Sequence, residues 1–461
     1  MTKLKITETS LRDGHQSLIA TRLTTDEILP VLSEMDKAGY HAMEVWGGAT
    51  FDTCLRYLNE DPWDRLRKVR AHVKNTKLQM LSRGQNILGY RNYPDDIVER
   101  FHKNAIFEGI DIVRVFDALN DIRNLKKTIE TVKSEGAHCQ CAISYTTSPV
   151  HTKEYYVKLI KDFENAGADS ICIKDMSGIL LPFDAYHLIK AIKKVTKLPL
   201  ELHTHCTGGI GEMTVLTAVE AGIDIVDTAI SPLSSGTSQP ATESLCLALR
   251  GTERDPGLNL DSLNNIADYF KDVMKKYEEN GTLNIKVLMT EPKALIYQIP
   301  GGMLSNLLVQ MKSLNAVDKF QEVLDEVPRV RKDLGYPPLV TPMSQMVGAQ
   351  AVFNVISGGR YNIIPTEIRN YVRGMYGRPA APISDDIKEL IIGNEEVITV
   401  RPADLLEDSY DRLREEIGYL AKSEQDVLSY ALFPQVAKSF FEKRDSGDVP
   451  CCHTASSNRT L

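Results

Sequence analysis

The sequence predicts a TIM (β/α)8 barrel followed by a mostly helical C-terminal region packed at the barrel mouth. Roughly the first 250 residues contain about eight short apolar or β-branched runs, and an amphipathic helical stretch follows most of them. Several of these stretches end in a glycine just before the next strand, as in Ala166-Gly167-Ala168-Asp169 and Ala221-Gly222-Ile223-Asp224. A doubly wound open sheet is the competing fold, but no glycine-rich phosphate fingerprint follows the first strand.

The individual elements follow from periodicity and from their end signals. Strands are short apolar runs, whereas helices repeat apolar residues at helical spacing and often begin with a capping residue or a proline. We expect strands at 3–7, 42–46, 78–81, 110–116, 140–145, 170–173, 198–203 and 223–227. We expect helices between them at 25–38, 94–108, 122–134, 152–166, 182–195 and 213–221.

The pattern changes after roughly Gly251, where longer helical stretches replace the alternation of strands and helices. We expect helices at 263–280, 291–306, 317–334, 344–356, 363–376, 384–390 and 423–432, with a tight loop at 299–303. The predicted domains are a barrel over 1–300 and a helical region over 301–447 that completes the active site. A polar tail over 448–461 lacks periodicity and is predicted to be disordered.

Composition excludes several classes of protein. The formal net charge of -8 and the lack of a basic stripe argue against nucleic-acid binding. No apolar run approaches the roughly 18 residues that a membrane span needs, and the N-terminus lacks a signal-peptide pattern. The 8 cysteines are scattered, several of them in apolar strands, which is typical of a reduced cytoplasmic protein. Adjacent Cys451 and Cys452, with His453, lack a second ligand pair and are not expected to bind zinc.

The most informative polar motif is His203-Thr204-His205, which closes a predicted buried strand. Residues at i and i+2 of a strand project from the same side, so both imidazoles share one face. In a TIM barrel the functional groups lie at the C-terminal ends of the strands. The two histidines therefore form half of a candidate metal site.

Two other strand ends add ionisable groups to this candidate site. Asp13 follows the first strand, and a carboxylate with two imidazoles suits Zn, Mn or Co, of which Zn is our first expectation. Lys174 follows the sixth strand, but an ammonium group has no lone pair with which to bind a cation. Two interpretations of Lys174 stay open: a catalytic or salt-bridged lysine near Asp175, or a lysine carboxylated by CO2 to a carbamate that supplies an oxygen ligand.

Five segments together resemble one enzyme family, the biotin-dependent carboxyltransferases that act on 2-oxo acids. The family includes the carboxyltransferase domain of pyruvate carboxylase, the alpha subunit of oxaloacetate decarboxylase and the pyruvate-binding subunit of transcarboxylase. The resemblance covers approximately residues 4 to 440, with the motifs in the same order along the chain. The segments are 9–22 (TSLRDGHQSLIATR), 80–86 (MLSRGQN), 174–178 (KDMSG), 300–303 (PGGM) and 340–345 (VTPMSQ).

The resemblance implies a metal site and a reaction. It implies a divalent metal held by Asp13, carbamylated Lys174, His203 and His205. The implied reaction moves a carboxyl group between carboxybiotin and pyruvate or oxaloacetate, as in an oxaloacetate decarboxylase alpha subunit or a two-subunit pyruvate carboxylase. Such a reaction passes through an enolate, whose developing charge needs a Lewis acid and fixed donors.

The resemblance also assigns the residues that contact the substrate. Gln16 and Arg83 would hold the 2-oxo acid, and Thr341 would shuttle a proton between the biotin ring nitrogen and the methyl carbon of pyruvate. A planar guanidinium suits a carboxylate, and a hydroxyl can donate and accept a proton. Without the resemblance, Arg83 would be interpreted as a surface salt bridge and Thr341 as a helix N-cap before Pro342. Two further residues, Asn120 and Asp121, are expected to line the same mouth.

The chain departs from the family pattern at three places. Cys206 stands where some relatives have an aspartate, and Gln345 stands where pyruvate carboxylases typically have a lysine, which resembles the decarboxylase and transcarboxylase branch. The usual biotin attachment signal, Met-Lys-Met, is not present, and Met311-Lys312-Ser313 lies within a predicted helical stretch. We therefore expect biotin to be attached to a separate carrier protein, or to a carrier domain that this chain lacks.

The resemblance implies a set of partners and leaves two alternatives open. The implied partners are a biotin carboxyl carrier protein or domain, pyruvate or oxaloacetate, a second copy of the chain in a homodimer and, in the decarboxylase branch, membrane subunits. One alternative is a metal-dependent Claisen- or aldol-type synthase or lyase, such as isopropylmalate synthase, which shares Arg12-Asp13 and the paired histidines but lacks the Thr341 segment. The other is a non-catalytic scaffold subunit, against which the presence of all four ligand residues argues.

Overall fold

The computed structural model describes residues 2–297 and 299–447. Eight parallel strands pair in sequence order and close into a barrel, because β8 pairs with β1. The predicted TIM barrel is therefore confirmed. The strands are Lys5–Glu8 (β1), Ala42–Trp46 (β2), Lys77–Ser82 (β3), Ile112–Phe116 (β4), His138–Ser144 (β5), Ser170–Asp175 (β6), Leu200–Thr204 (β7) and Ile225–Thr228 (β8).

Helices follow each strand and cover the outside of the barrel. The side chain of Thr24 and that of Glu27 cap the start of α2 reciprocally, and Gly222 ends α9 with a φ of 95°, from which the chain enters β8. The helices of this part are His15–Ile19 (α1), Thr25–Lys37 (α2), Gly48–Thr53 (α3), Pro62–His72 (α4), Asp95–Phe107 (α5), Lys126–Ser134 (α6), Lys153–Asn165 (α7), Pro182–Ile192 (α8), Gly211–Ala221 (α9) and Thr242–Leu249 (α10).

The rest of the described chain is helical, as predicted. The loop expected at 299–303 is shorter than predicted, because α13 already begins at Gly301. The helices are Leu260–Glu279 (α11), Lys293–Tyr297 (α12), Gly301–Ser313 (α13), Phe320–Asp333 (α14), Met343–Ile356 (α15), Thr366–Val372 (α16), Asp385–Ile392 (α17), Tyr410–Ile417 (α18), Glu424–Leu432 (α19) and Pro434–Ser446 (α20).

These C-terminal helices pack in two different places. Helices α13 to α17 enclose a hydrophobic core of their own, which Leu119 of the barrel joins. Helices α18 to α20 instead contribute to the core of the barrel, and the indole N–H of Trp63 donates to the hydroxyl of Ser429 at 3.0 Å. The predicted domain boundaries stay a prediction, but residues 301–447 do not share one core.

Three further observations bear on the expectations from composition. Within residues 2–297 and 299–447, no helix has both the length and the apolar character that crossing a bilayer requires. The six cysteines of this part are all free and buried: Cys54, Cys139, Cys141, Cys172, Cys206 and Cys246. The predicted disordered tail at 448–461, which includes Cys451, Cys452 and His453, lies outside the described residues.

Candidate active site

Three of the four predicted ligands, Asp13, His203 and His205, meet at the C-terminal ends of the strands. His203 lies near the end of β7, His205 directly follows that strand, and Asp13 lies in a wide helical turn, Ser10–Gly14, after β1. The carboxylate oxygen Oδ2 of Asp13 is 3.1 Å from Nε2 of His203 and 3.4 Å from Nε2 of His205. All three residues are buried, and their candidate ligand atoms lie within 4.8 Å of one another.

The outer nitrogens of the two imidazoles fix which nitrogen is free to bind a metal. Nδ1 of His205 is 2.6 Å from the carbonyl oxygen of Thr237, which can only accept, and Nδ1 of His203 is 2.6 Å from a carboxylate oxygen of Asp227. Both Nδ1 atoms therefore donate, which leaves a lone pair on each Nε2. The two Nε2 atoms are 3.1 Å apart, and facing lone pairs of this kind fit a cation bound between them.

The electrostatics around Asp13 keep this carboxylate ionised. Burial by itself would raise the pKa of Asp13, but the guanidinium of Arg12 outweighs it and holds the pKa well below its usual range. Arg12 places Nη1 3.0 Å from Oδ1 of Asp13 and also pairs with the buried carboxylate of Glu44. An ionised, buried carboxylate beside two imidazoles is a donor set that suits a divalent transition metal.

Lys174 lies on β6, where it is paired in register with His203 of β7. Its Nζ atom is 3.0 Å from Nε2 of His203, and the residue is only 1% exposed. Burial lowers the pKa of Lys174. The carboxylate of Asp175 accepts from the backbone of Ile179 and Leu180 instead, so Asp175 is not the salt-bridge partner that one interpretation of Lys174 required.

The two residues assigned to the 2-oxo acid line a cavity of about 220 Å³ beside this cluster. Arg83 donates from Nη1 to the carbonyl oxygen of Leu88 at 2.7 Å, and its guanidinium lies over the ring of Tyr90, 4.6 Å from the centroid. Gln16 accepts a long hydrogen bond of 3.4 Å from Arg12. Because Asp13, Arg83 and Lys174 also line this space, we call it the charged cavity.

Thr341 lies where this cavity meets a second one of about 440 Å³. The described residues that line the second cavity carry no charge, so we call it the neutral cavity; they include Met303, Leu307 and Gln345. The N-cap of α15 is Pro342, and no side chain caps the first turn of that helix. The interpretation of Thr341 as a helix cap is therefore wrong.

Asn120 and Asp121 were expected at the barrel mouth, but neither lines either cavity. The amide of Asn120 exchanges two hydrogen bonds with the backbone of Ser144. Asp121 pairs with Arg123 and accepts from the backbone N–H of Arg378 at 2.9 Å, which joins the barrel to the helical region. The side chain of Asn120 thus bonds to the backbone at a strand end, and that of Asp121 helps to hold the barrel against the helical region.

The sequence alone did not reveal two buried residues of the site. Asp227 of β8 orients His203 and is itself held by Arg114, whose Nη1 lies 2.5 Å from its carboxylate. The side-chain amide of Gln239 lies 3.1 Å from the Asp13 carboxylate and 3.3 Å from Nε2 of His205. The sequence feature that could have pointed to them is their position, because Asp227 belongs to the last strand and Gln239 to the segment after it.

Comparison with known proteins identifies the family to which the chain belongs. Residues 3–270 match the HMGL-like family model, and residues 294–460 match the model of the conserved carboxylase domain. The chain is 54% identical to a pyruvate carboxylase subunit of Methanocaldococcus jannaschii, over 95% of this chain and 77% of that protein. It is 47% identical to the 2-oxoglutarate carboxylase large subunit of Hydrogenobacter thermophilus, over 97% of this chain and 69% of that protein.

A solved structure shows the same fold over almost the whole chain. The carboxyl transferase domain of Rhizobium etli pyruvate carboxylase, determined with pyruvate and biocytin, superposes with a TM-score of 0.90 at 35% sequence identity. The match covers 96% of this chain and 78% of that one. The chain therefore belongs to the biotin-dependent carboxyltransferase family that includes the Methanocaldococcus jannaschii pyruvate carboxylase subunit and the carboxyltransferase domain of Rhizobium etli pyruvate carboxylase.

Proposed function

We propose that this enzyme transfers a carboxyl group between carboxybiotin and pyruvate at the junction of its two cavities. The observation that carries the proposal is the position of Thr341, which lines both the charged and the neutral cavity. A hydroxyl group at this junction can contact one reactant on each side. Carboxyl transfer needs such a group, because a proton must pass between the two reactants.

In this proposal a divalent cation is held by Asp13, His203, His205 and the carbamate of Lys174, with Zn as the first candidate and Co or Mn as the others. The carbamate forms when the Lys174 amine adds to CO2, which makes an N–C bond and releases a proton. The support is geometric, because Nζ lies 3.0 Å from Nε2 of His203 and an ammonium could not serve as a ligand. When bound, the cation supplies Lewis-acid stabilisation for the charge of an enolate.

The 2-oxo acid is proposed to bind in the charged cavity. Arg83 pairs with its carboxylate, since within the described part of the chain the guanidinium contacts neutral groups, the carbonyl of Leu88 and the ring of Tyr90. Gln16, which lines the same cavity, donates from its amide to an oxygen of the substrate. Both residues thereby orient the methyl carbon toward Thr341.

Thr341 is proposed to relay the proton. In the direction of carboxylation, the C–N bond of carboxybiotin breaks and a C–C bond forms at the methyl carbon of pyruvate. The methyl carbon loses one proton and the ureido nitrogen gains one. The hydroxyl of Thr341 accepts the first proton and donates its own, so the exchange needs no further reactant.

The biotin is proposed to enter the neutral cavity while attached to a carrier protein or carrier domain. The sequence contains no Met-Lys-Met attachment signal, and the cavity offers apolar and uncharged polar groups that suit a neutral ring. A homodimer and a cytoplasmic location follow from the resemblance, as do the membrane subunits of the decarboxylase branch. Light scattering of the purified protein tests the dimer.

The first test is decarboxylation of oxaloacetate by the purified chain, with and without free biotin. We expect pyruvate formation to rise with biotin, to be lost in Thr341→Ala and to be partly retained in the matched control Thr341→Ser, which keeps the hydroxyl. Metal content and folding should be unchanged in both variants. A metal-loaded protein with no response to biotin would contradict the proposal and favour a Claisen-type reaction with acyl-CoA substrates.

A further inference from the structure

Gln239 contacts the candidate metal site without being one of its four implied ligands. The residue follows β8, is fully buried, and places Nε2 3.1 Å from Oδ2 of Asp13 and 3.3 Å from Nε2 of His205. Atoms that bind one cation at about 2.1 Å lie roughly 3.0 to 3.4 Å from one another. The candidate ligand atoms of Asp13, His203 and His205 are separated by 3.1 to 3.4 Å. The amide of Gln239 therefore lies where one more neighbouring ligand would lie.

The nitrogen end of this amide does not suit a cation. Nε2 of Gln239 carries two hydrogens, which a cation bound by Asp13 and His205 would repel. The oxygen end is different, because an amide oxygen has two lone pairs and can bind a divalent cation. The last torsion of a glutamine side chain is broad and roughly two-fold, so a half-turn of the amide exchanges its two ends. After this half-turn, Oε1 of Gln239 faces Asp13 and His205.

The surroundings of Gln239 accept the amide in both settings. Oε1 lies 3.0 Å from Oγ1 of Thr9 and 3.2 Å from Oγ of Ser238. The hydroxyl of Thr9 also donates to the carbonyl oxygen of Thr228 at 2.9 Å. The hydroxyl of Ser238 donates to the carbonyl oxygen of Leu233 at 2.7 Å. Because each hydroxyl can give its one proton to a carbonyl, its oxygen can accept from the turned amide nitrogen, and both amide hydrogens keep an acceptor.

We propose that Gln239 makes this half-turn when a divalent cation binds and supplies its amide oxygen as a further ligand. The inference rests on the proposed function, because it concerns the same cation. With the four implied ligands, Gln239 makes five protein ligands, one more than a tetrahedral site holds. The fifth ligand comes from the segment after β8, so the cation ties this segment to the ends of β6 and β7 and to the turn after β1.

The direct test is a crystal structure of the protein loaded with Zn²⁺, in which anomalous scattering locates the cation. We expect the cation about 2.2 Å from the Gln239 side chain. A contact of this length identifies the oxygen as the contacting atom, because an amide nitrogen with its hydrogens has no lone pair to offer. The second readout is the affinity for Zn²⁺, measured by competition with a chelator.

Two substitutions at Gln239 and a matched control separate a ligand from a packing contact. Gln239→Leu removes the amide oxygen and should weaken Zn²⁺ binding by about 10- to 100-fold. Gln239→Glu keeps an oxygen and should bind Zn²⁺ at least as tightly as the wild type. Gln350→Leu is the control, because Gln350 is equally buried but lies on α15 and lines neither cavity. The control should bind Zn²⁺ normally, and melting temperatures show whether all three variants fold.

The outcomes separate this inference from the proposed function. A bound cation more than about 3 Å from the Gln239 side chain would overturn the inference, as would Gln239→Leu binding Zn²⁺ no more weakly than Gln350→Leu. Failure of the wild type to bind any cation at Asp13, His203 and His205 would contradict the metal site of the proposed function, and this inference with it. Lack of biotin-dependent decarboxylation by a protein whose cation does contact Gln239 would contradict the proposed reaction alone.

Discussion

The two cavities that meet at Thr341 differ in construction and in charge. The charged cavity is built mainly from the ends of barrel strands and the turns after them, and it contains Asp13, Arg83 and Lys174. The neutral cavity is built largely from α13, α15 and the segment before α15, and its described lining carries no charge. This difference matches the proposed function, in which the barrel binds the cation and the anionic reactant and the helical region receives the uncharged biotin ring.

The construction of each cavity suits the occupant proposed for it, the cation with the 2-oxo acid in one and the biotin ring in the other. Ligands to a metal must be held within fractions of an ångström, and adjacent hydrogen-bonded strands such as β6 and β7 hold Lys174 and His203 in fixed register. A ring that binds through its shape tolerates larger differences in the positions of the surrounding side chains. Helices packed by apolar contacts can accommodate such differences. Substitutions that change one cavity and leave the other intact therefore test this difference.

The largest effect is expected for His203→Ala, which removes one imidazole from the charged cavity. The purified variant should contain no stoichiometric metal and should show no biotin-dependent decarboxylation, because a ligand of the site is lost. Biotin binding, measured by calorimetry, should persist because the neutral cavity is unchanged. His187→Ala, at an exposed position on α8, is the control. Full metal content with normal turnover would contradict the assignment of His203.

Lys174→Arg tests whether the lysine acts as a carbamate. Arginine keeps the positive charge but cannot form the carbamate, so metal affinity should fall by more than the roughly 100-fold that loss of an outer-sphere partner can cost. The metal content of the purified protein and a competition assay with a chelator measure this. Lys158→Arg, at an exposed position on α7, should bind metal normally. Unchanged metal affinity in Lys174→Arg would argue for a lysine that is not modified.

Asp227→Asn should have a smaller effect on the same side of the site. An amide oxygen can still accept from Nδ1 of His203, but the loss of the charge should weaken metal binding by about 10- to 100-fold. Glu201→Gln is a matched control, because Glu201 also contacts Arg114, at 2.8 Å, but is not bonded to a predicted ligand. Equal losses in the two variants would mean that the whole buried network, and not the contact to His203, sets the affinity.

A pair of glycine substitutions compares the two cavities directly and should give the smallest effects. A Cβ atom at Gly48 would lie 2.5 Å from the carbonyl oxygen of Leu88 and 2.7 Å from Nη1 of Arg83. Gly48→Ala should therefore displace Arg83 and raise the KM for oxaloacetate by about tenfold or more. The atoms nearest to a Cβ at Gly348 belong to the flexible side chains of Leu307 and Met303, at 3.1 and 3.2 Å.

Gly348→Ala should thus raise the biotin concentration needed for half-maximal stimulation only slightly and leave the KM for oxaloacetate unchanged. Steady-state kinetics with each reactant varied in turn measures both effects. If Gly48→Ala affected biotin, or Gly348→Ala affected oxaloacetate, the assignment of one reactant to each cavity would be wrong.

The sequence allowed prediction of the barrel and of the cluster of Asp13, His203 and His205 through local patterns. The alternation of strand and helix signals, and polar groups such as Asp13 and Lys174 at strand ends, need only neighbouring residues to be recognised. The spacing of His203 and His205 similarly defines a shared face, which the structure shows with ring centroids 5.0 Å apart. Polarity at a strand end did not predict the positions of Asn120 and Asp121, which line neither cavity. A polar residue at a strand end can equally well bond to backbone groups.

The rest of the site depends on contacts between distant parts of the chain. Asp227 reaches His203 because β8 pairs with β7. Gln239 reaches Asp13 across 226 residues of sequence because the barrel closes between β8 and β1. No periodicity in the chain contains this information.

By itself, the sequence determined the order of strands and helices, the polar residues at the strand ends and, through its motifs, the family, because each of these is written in short segments. Only the tertiary structure decided that Thr341 lies between a charged and a neutral cavity and that the C-terminal helices belong to two cores. The physical reason is that shape, burial and pairing of charges arise from packing, which brings together residues far apart in the chain.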